Sequence, residues 1–246
     1  MWTRQQLKMN AKTNMRKNFL PCVAVSFICS LAERIASAGS AASRTNTNTH
    51  NDNGIDVYLG DIHVYKHLSE RLSWPLILAI AGVALTFGIL FSILVANIIQ
   101  IGKNRFYIQN CMDIPRVGVV FDGFRSGHYG NIVVTMFLMD LYIFLWSLLF
   151  IIPGIIKAYE YYMVPYILAE NPGMDRKEAF AISKRMMDGQ KMDTFILELS
   201  FIGWIIVGIC TCGIALIFYV NPYMDATKTE LYMYSKAKAF QEGYIH

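Results

Sequence analysis

Residues 132–152, IVVTMFLMDLYIFLWSLLFII, carry one charge, Asp140, in a stretch long enough to cross the hydrocarbon of a bilayer. A helix rises about 1.5 Å per residue, so about 20 apolar residues span a core about 30 Å thick. Two other stretches pass the same test: residues 74–99 hold no charge, and residues 194–220 hold only Glu198. A shorter apolar run, 19–31, follows a segment with Arg4, Lys8, Lys12, Arg16 and Lys17. It reads as a first span, extended to about residue 37 by tilt and snorkelling, or as the core of a signal peptide cut at Ala36-Ser37-Ala38. Glu33 and Arg34 would sit where such cleavage regions stay uncharged, which favours the retained span.

Composition points the same way. Of 246 residues 54% are hydrophobic and only 16% charged, against about 25% charged in soluble domains. The net charge is +4, but the Lys and Arg residues flank apolar blocks instead of forming a stripe, so a nucleic-acid partner is not expected. The five cysteines show no CxxC spacing and read as small buried thiols. HExxH, GxSxG, Walker and GxGxxG motifs are absent from the sequence, so no catalytic, metal or cofactor-binding residue is expected. Ser126-Gly127-His128 holds a nucleophile beside a base, but near neighbours on one segment rarely aim at each other, and no third orienting group is visible.

Pro153-Gly154 is a turn signal at the end of the 132–152 block. With four spans, residues 153–193 would lie outside the cell and carry Lys157, Arg176, Lys177, Lys184, Arg185 and Lys191 there. The positive-inside tendency opposes that arrangement. Six spans resolve the conflict, at about 18–37, 74–99, 132–152, 155–169, 194–210 and 214–234, the last pair separated by a break at Thr211-Cys212-Gly213. The expected fold is then an all-α polytopic transmembrane bundle forming a single membrane domain, 1–246, with both termini cytoplasmic. An extracytoplasmic loop covers 38–73, and interfacial cytoplasmic segments cover 100–131 and 170–193. Within the second segment, Asp175 and Glu178 form a capping box before a basic amphipathic helix with Ala179, Ile182 and Met186 on one face, read as lying on anionic lipid. The Asn/Thr-rich tract 45–54 has too little apolar matter to fold.

Two similar helical hairpins are expected in the C-terminal half, because Trp146, Gly154 and Pro165-Tyr166 recur as Trp204, Gly213 and Pro222-Tyr223 at similar spacing. Pro153, Gly154, Pro165, Gly213 and Pro222 are the candidate hinges or kinks. The repeat reads as matched half-sites around a pathway, or as a duplication that built a bundle without one. Asp140 and Glu198 enter the membrane from the same side and could share a proton or a cation, or each could bond separately to neighbouring helices. Lys157 and Glu160, spaced i, i+3, are expected to pair. The tyrosines Tyr159, Tyr161, Tyr162 and Tyr166 fit an interfacial belt or a lined cavity.

The run DGFRSGHYGNIVVTMFLMDLYIFLWSLLFIIPGIIKAYEYYMVPYILAENP (122–172), with EAFAISKRMMDGQK (178–191) and LSFIGW (199–204), closely resembles the bacterial integral-membrane domain-of-unknown-function family 975. The resemblance extends from LKMNAKTNMRKNFL (7–20) to Asn221-Pro222-Tyr223. It implies a bacterial cytoplasmic-membrane protein with a retained first span, and it supplies no catalytic residue. The LWSLLFIIPGI-to-PY pattern is also distantly similar to the membrane domain attached to some glycerophosphodiester phosphodiesterases, which implies a lipid-facing or anchoring role. Expected partners are the lipid bilayer and other membrane proteins or further copies of the chain. The expected role is non-enzymatic: passage of a small solute, ion or lipid, with a membrane scaffold as the alternative.

Overall fold

The computed structural model describes residues 2–41, 58–59, 62–63, 74–211 and 213–245. The Asn/Thr tract and most of the expected loop 38–73 lie outside the described residues. Apart from a two-residue antiparallel pair, Tyr58–Leu59 (β1) with Ile62–His63 (β2), regular structure among the described residues is helical. In chain order the helices are α1 (Arg4–Lys17), α2 (Phe19–Ala41), α3 (Trp74–Phe91), α4 (Asn97–Met112), α5 (Asp122–Arg125), α6 (Tyr129–Leu149), α7 (Ile151–Glu160), α8 (Val164–Glu170), α9 (Arg176–Met186), α10 (Lys191–Leu199), α11 (Ile202–Cys210) and α12 (Asn221–Gln241). Four helices among the described residues are long and apolar enough to cross a membrane: Phe19–Ser37, Ala79–Met112, Tyr129–Leu149 and Lys191–Cys210. The expected spans 155–169 and 214–234 do not meet that standard. The first is interrupted between α7 and α8, and the second carries Asp225, Lys228 and Glu230.

The chain divides into two compact units, one of Met1–Cys29 with Asn97–His246, the other Ser30–Ala96. In the smaller unit α3 is apolar around its circumference and exposes Ile80, Val83, Phe87 and Leu90. A helix of that kind is stable only in an apolar medium or core.

The larger unit is organised around α4, whose Ile98, Ile101, Phe106, Tyr107 and Ile108 are buried together with Asn104 and Asn110. The segment 100–131, expected at the interface, therefore begins with the unit's central helix. A 3₁₀ turn, Val117–Phe121, folds back on it. The contact is backbone to backbone, since a Cβ on Gly102 would meet the Val120 carbonyl oxygen. α1 is amphipathic, with Thr3 as its N-cap and Leu7, Ala11 and Met15 buried four residues apart. It packs along α12, where the Asn14 amide donates to Glu230 at 2.6 Å.

Both expected hairpins form. In the first, α6 turns into α7 at Phe150, an extended residue, and not at Pro153-Gly154. Pro153 falls in the first turn of α7, where a missing N–H leaves no helical bond unmade. Gly154 serves close packing instead of the turn, because a Cβ there would press on Ser147 of the facing helix. In the second hairpin the break does lie at Thr211 and Gly213, with Gly213 at φ +84°. The two glycines paired by the repeat therefore do different work. Trp146 lies beneath the Lys157 ammonium at 5.4 Å, while Trp204 packs against Tyr219 at 5.4 Å and Tyr223 at 6.4 Å.

The two repeat prolines also differ. Pro165 occupies the first turn of α8, after a break at residues 161–163. Pro222 follows a π-turn, Leu216–Val220, that leads directly into α12; a widened turn accommodates a residue lacking an N–H. The break before α8 is closed from α9: buried Ser183 donates to the Glu160 carbonyl at 2.8 Å and accepts from the Met163 N–H at 3.2 Å. Asp175 caps α9 as its sequence implies, accepting from Lys177 N–H at 3.1 Å. Its face of Ala179, Ile182 and Met186 is buried in the protein core, correcting the reading that placed that face on lipid. Ser183→Ala should leave two buried backbone groups unpaired and lower stability by about 2 kcal/mol, measured by thermal unfolding in detergent micelles.

Candidate functional site

Two polar stripes face each other at the end of the hairpins opposite their turns. On α12 the stripe is Asp225, then Lys228 and Thr229, then Tyr232 and Lys236, each step three or four residues on and so along one side of the helix. On α7, α8 and the break between them it is Tyr159, Tyr162, Tyr166 and Glu170, at the same period. Counting along the arms, Glu198 and Asp225 lie roughly 20 Å from the Thr211–Gly213 turn, and Tyr162 roughly 18 Å from Phe150. Tyr159 and Tyr162 bond Glu198 beside Lys228, and Tyr232 and Lys236 bond Glu170, so the two stripes join in one polar layer.

Its charges are matched within the chain. Lys103 on α4 meets Asp225 at 3.0 Å, both under a fifth exposed, and Ser26 on α2 donates to the other oxygen of Asp225 at 2.7 Å. Ser26 in turn lies 2.8 Å from the hydroxyl of buried Tyr107. Glu198 accepts from Tyr159 at 2.7 Å and Tyr162 at 3.0 Å and pairs with Lys228 at 3.1 Å. Glu170 pairs with Lys236 at 2.6 Å and accepts from Tyr232 at 2.8 Å. The expected Lys157–Glu160 pair is present at 2.6 Å, and Lys191 adds a second cation to Glu160 at 2.8 Å.

Asp140 and Glu198 are not joined. Asp140 is exposed on α6 and accepts one long bond, 3.4 Å, from buried Asn97, whereas the Glu198 oxygens are taken by two tyrosines and a lysine. A carboxylate pair sharing one proton requires close approach of like charges; this arrangement instead gives each carboxylate its own neutral or cationic partner. Of the tyrosines, Tyr159 and Tyr162 belong to the charge network, Tyr166 stacks on Tyr232 at 5.2 Å, and Tyr161 packs on Phe180 at 4.9 Å.

Ser126 and His128 line an open cleft of about 700 Å³ with Arg105, Glu170 and Glu178. Ser126 Oγ donates to the Gly123 carbonyl at 3.1 Å, and His128 Nδ1 sits 2.9 Å from the Ser126 backbone oxygen. The imidazole is thus held by the serine's backbone, and the hydroxyl is directed elsewhere.

Lys103, Asp225, Lys228, Glu170 and Lys236 were not among the sequence candidates. The signal for three of them was available, since a charge or hydroxyl recurs every three or four residues through 225–236. Lys103 gave none, its partner being remote in sequence.

Residues 148–239 match the family described as "Protein of unknown function (DUF975)", in agreement with the resemblance drawn from the motifs. That stretch contains α7 to α11 and all but the last two residues of α12, and thus most of the polar layer. No curated protein matches the chain. No solved structure matches it.

Proposed function

Given that residues 148–239 carry the pattern of a family without an assigned activity, we propose that this chain is a non-enzymatic, multi-pass scaffold or anchor of the bacterial cytoplasmic membrane. Both termini lie in the cytoplasm, and the chain binds other membrane proteins or further copies of itself. The observation that carries this reading is the contrast between the two ends of each hairpin. Away from the turns, lysines and carboxylates brace the arms internally. At the first turn Leu145, Leu148, Leu149, Phe150, Ile151 and Ile152 are all exposed, as are Ile206, Val207, Ile209 and Ile214 beside the second. Exposed apolar surface of this extent needs apolar neighbours, which membrane helices of a partner supply together with lipid. A photo-crosslinking residue at Leu148 or Ile209 is expected to give protein adducts in native membranes, and one at buried Leu197 is not. Adducts to lipid alone at both exposed positions would rule out scaffolding.

The polar layer favours a second reading, passage of an ion or small solute, because ionisable groups inside a bundle mark proton and ion routes. Under this reading Glu198→Gln abolishes flux in reconstituted vesicles while the protein still inserts and accumulates. Equal loss of protein from the membrane assigns Glu198 to structure.

A further inference from the structure

The chain supplies a carboxylate wherever it turns a lysine inward across the polar layer: Asp225 for Lys103, Glu198 for Lys228, Glu160 for Lys157 and Lys191, Glu170 for Lys236. Lys8 breaks this pattern. It is half-buried on α1, its Nζ donates to the Ser200 carbonyl at 3.4 Å, and it lies 4.3 Å over the ring of Phe201. Among the described residues no carboxylate lies within 4.0 Å of Lys8 or of Arg4, one helical turn away. Burial, with the Arg4 charge adding to it, lowers the Lys8 pKa from its ordinary value. Two like charges side by side, one of them desolvated, are unfavourable unless an anion arrives from outside.

Arg4 and Lys8 line a cleft of about 550 Å³ with Trp2, Asp193, Ile196 and Ser200. The cleft is held in shape, since Trp2 Nε1 donates to Gln190 at 2.7 Å and Gln190 itself donates to the Met186 carbonyl at 3.1 Å. Asp193 is the one acidic residue of the lining, which therefore carries two cations against one anion. Asp193 and Ile196 lie on α10 and Ser200 caps its C-terminal end, all in the Lys191 half of the helix Lys191–Cys210 that is long and apolar enough to cross a membrane. The cleft lies beside that half of the helix, with an indole and an isoleucine beside the cations. Phosphate chemistry next to an apolar chain fits this lining.

We infer that the cleft between the start of α1 and α10 is a binding site for a phosphate group, that of an anionic phospholipid headgroup, gripped by Arg4 and Lys8. This rests on the membrane reading above but on neither scaffolding nor passage. The test is native mass spectrometry of the full chain released from micelles containing phosphatidylglycerol or phosphatidylcholine, with and without inorganic phosphate. Phosphatidylglycerol should be retained and phosphatidylcholine should not. Arg4→Gln and Lys8→Gln should each weaken retention about fivefold, following the worth of one cation near an anionic surface, while Lys12→Gln, exposed on α1, leaves it unchanged. Arg4 is exposed and bears no structural bond, so its variant remains informative if Lys8→Gln misfolds. Displacement of the lipid by millimolar phosphate, with phosphate itself retained, would reassign the site to a free phosphate compound. Equal retention by wild type and Arg4→Gln would overturn the proposal. Recovery of folded, lipid-free protein from a detergent-free supernatant would instead defeat the membrane reading beneath it.

Discussion

Gly102→Ala is expected to lower stability by more than about 3 kcal/mol, beyond the usual range for overpacking. The new Cβ would collide with the Val120 carbonyl oxygen and lie 2.5 Å from its carbon. These are backbone atoms, which cannot swing aside as a side-chain tip can. Relief requires the whole turn Val117–Phe121 to lift from α4, uncovering Ile98, against which Gly123 also packs. Gly203→Ala provides the control, since nothing lies within 4 Å of the added atom and alanine is the better helix former. Thermal unfolding in micelles should separate the two variants clearly, and a Gly102→Ala protein as stable as wild type would refute the close approach of α4 and the turn.

Asp225→Ala is expected to cost about 3–5 kcal/mol, the range for removing one partner of a buried ion pair. It removes the carboxylate paired with the Lys103 ammonium and one acceptor of Ser26. The double variant Asp225→Ala with Lys103→Met should recover most of that loss, because a matched apolar pair replaces the matched charges. The recovery is the informative measurement: a double variant as unstable as the single one would show that Asp225 acts through Ser26 and Tyr107 instead of Lys103.

The helices most visible in the sequence are those whose physics is local. Freedom from charge over residues 74–99 and the single charge of 132–152 follow directly from hydrocarbon solvation, and the break at Thr211–Gly213 follows from a glycine able to adopt positive φ. Lys157–Glu160 was legible for the same reason, both partners lying on one helical turn. The turn at Phe150 was not. Pro153-Gly154 carries the sequence signature of a turn, but a proline is equally at home in the first turn of the helix that follows, and the glycine answers to Ser147 across the hairpin. The polar layer was harder still. Lys103 and Asp225 are joined only by tertiary folding, and a hydropathy average across 214–234 dilutes the stripe that α12 presents. The same limit left the two readings of Asp140 and Glu198 open: depth in the membrane could be counted from the sequence, whereas the directions of their side chains around two helices, which give each its own partner, could not. α9 illustrates the converse, since an amphipathic face looks the same whether lipid or protein covers it.

The hairpins' half-exposed tryptophans, Trp146 against Lys157 and Trp204 against Tyr219 and Tyr223, make each arm pair optically addressable. The chain has only four indoles, so replacing Trp2 and Trp74 with phenylalanine leaves one fluorophore per hairpin. Trp146 stands about 6 Å from its turn and Trp204 about 10 Å from the other. Replacing either of the remaining two in turn would leave a single emitter, and quenching by acyl chains brominated at successive carbons would then yield a depth profile for each hairpin.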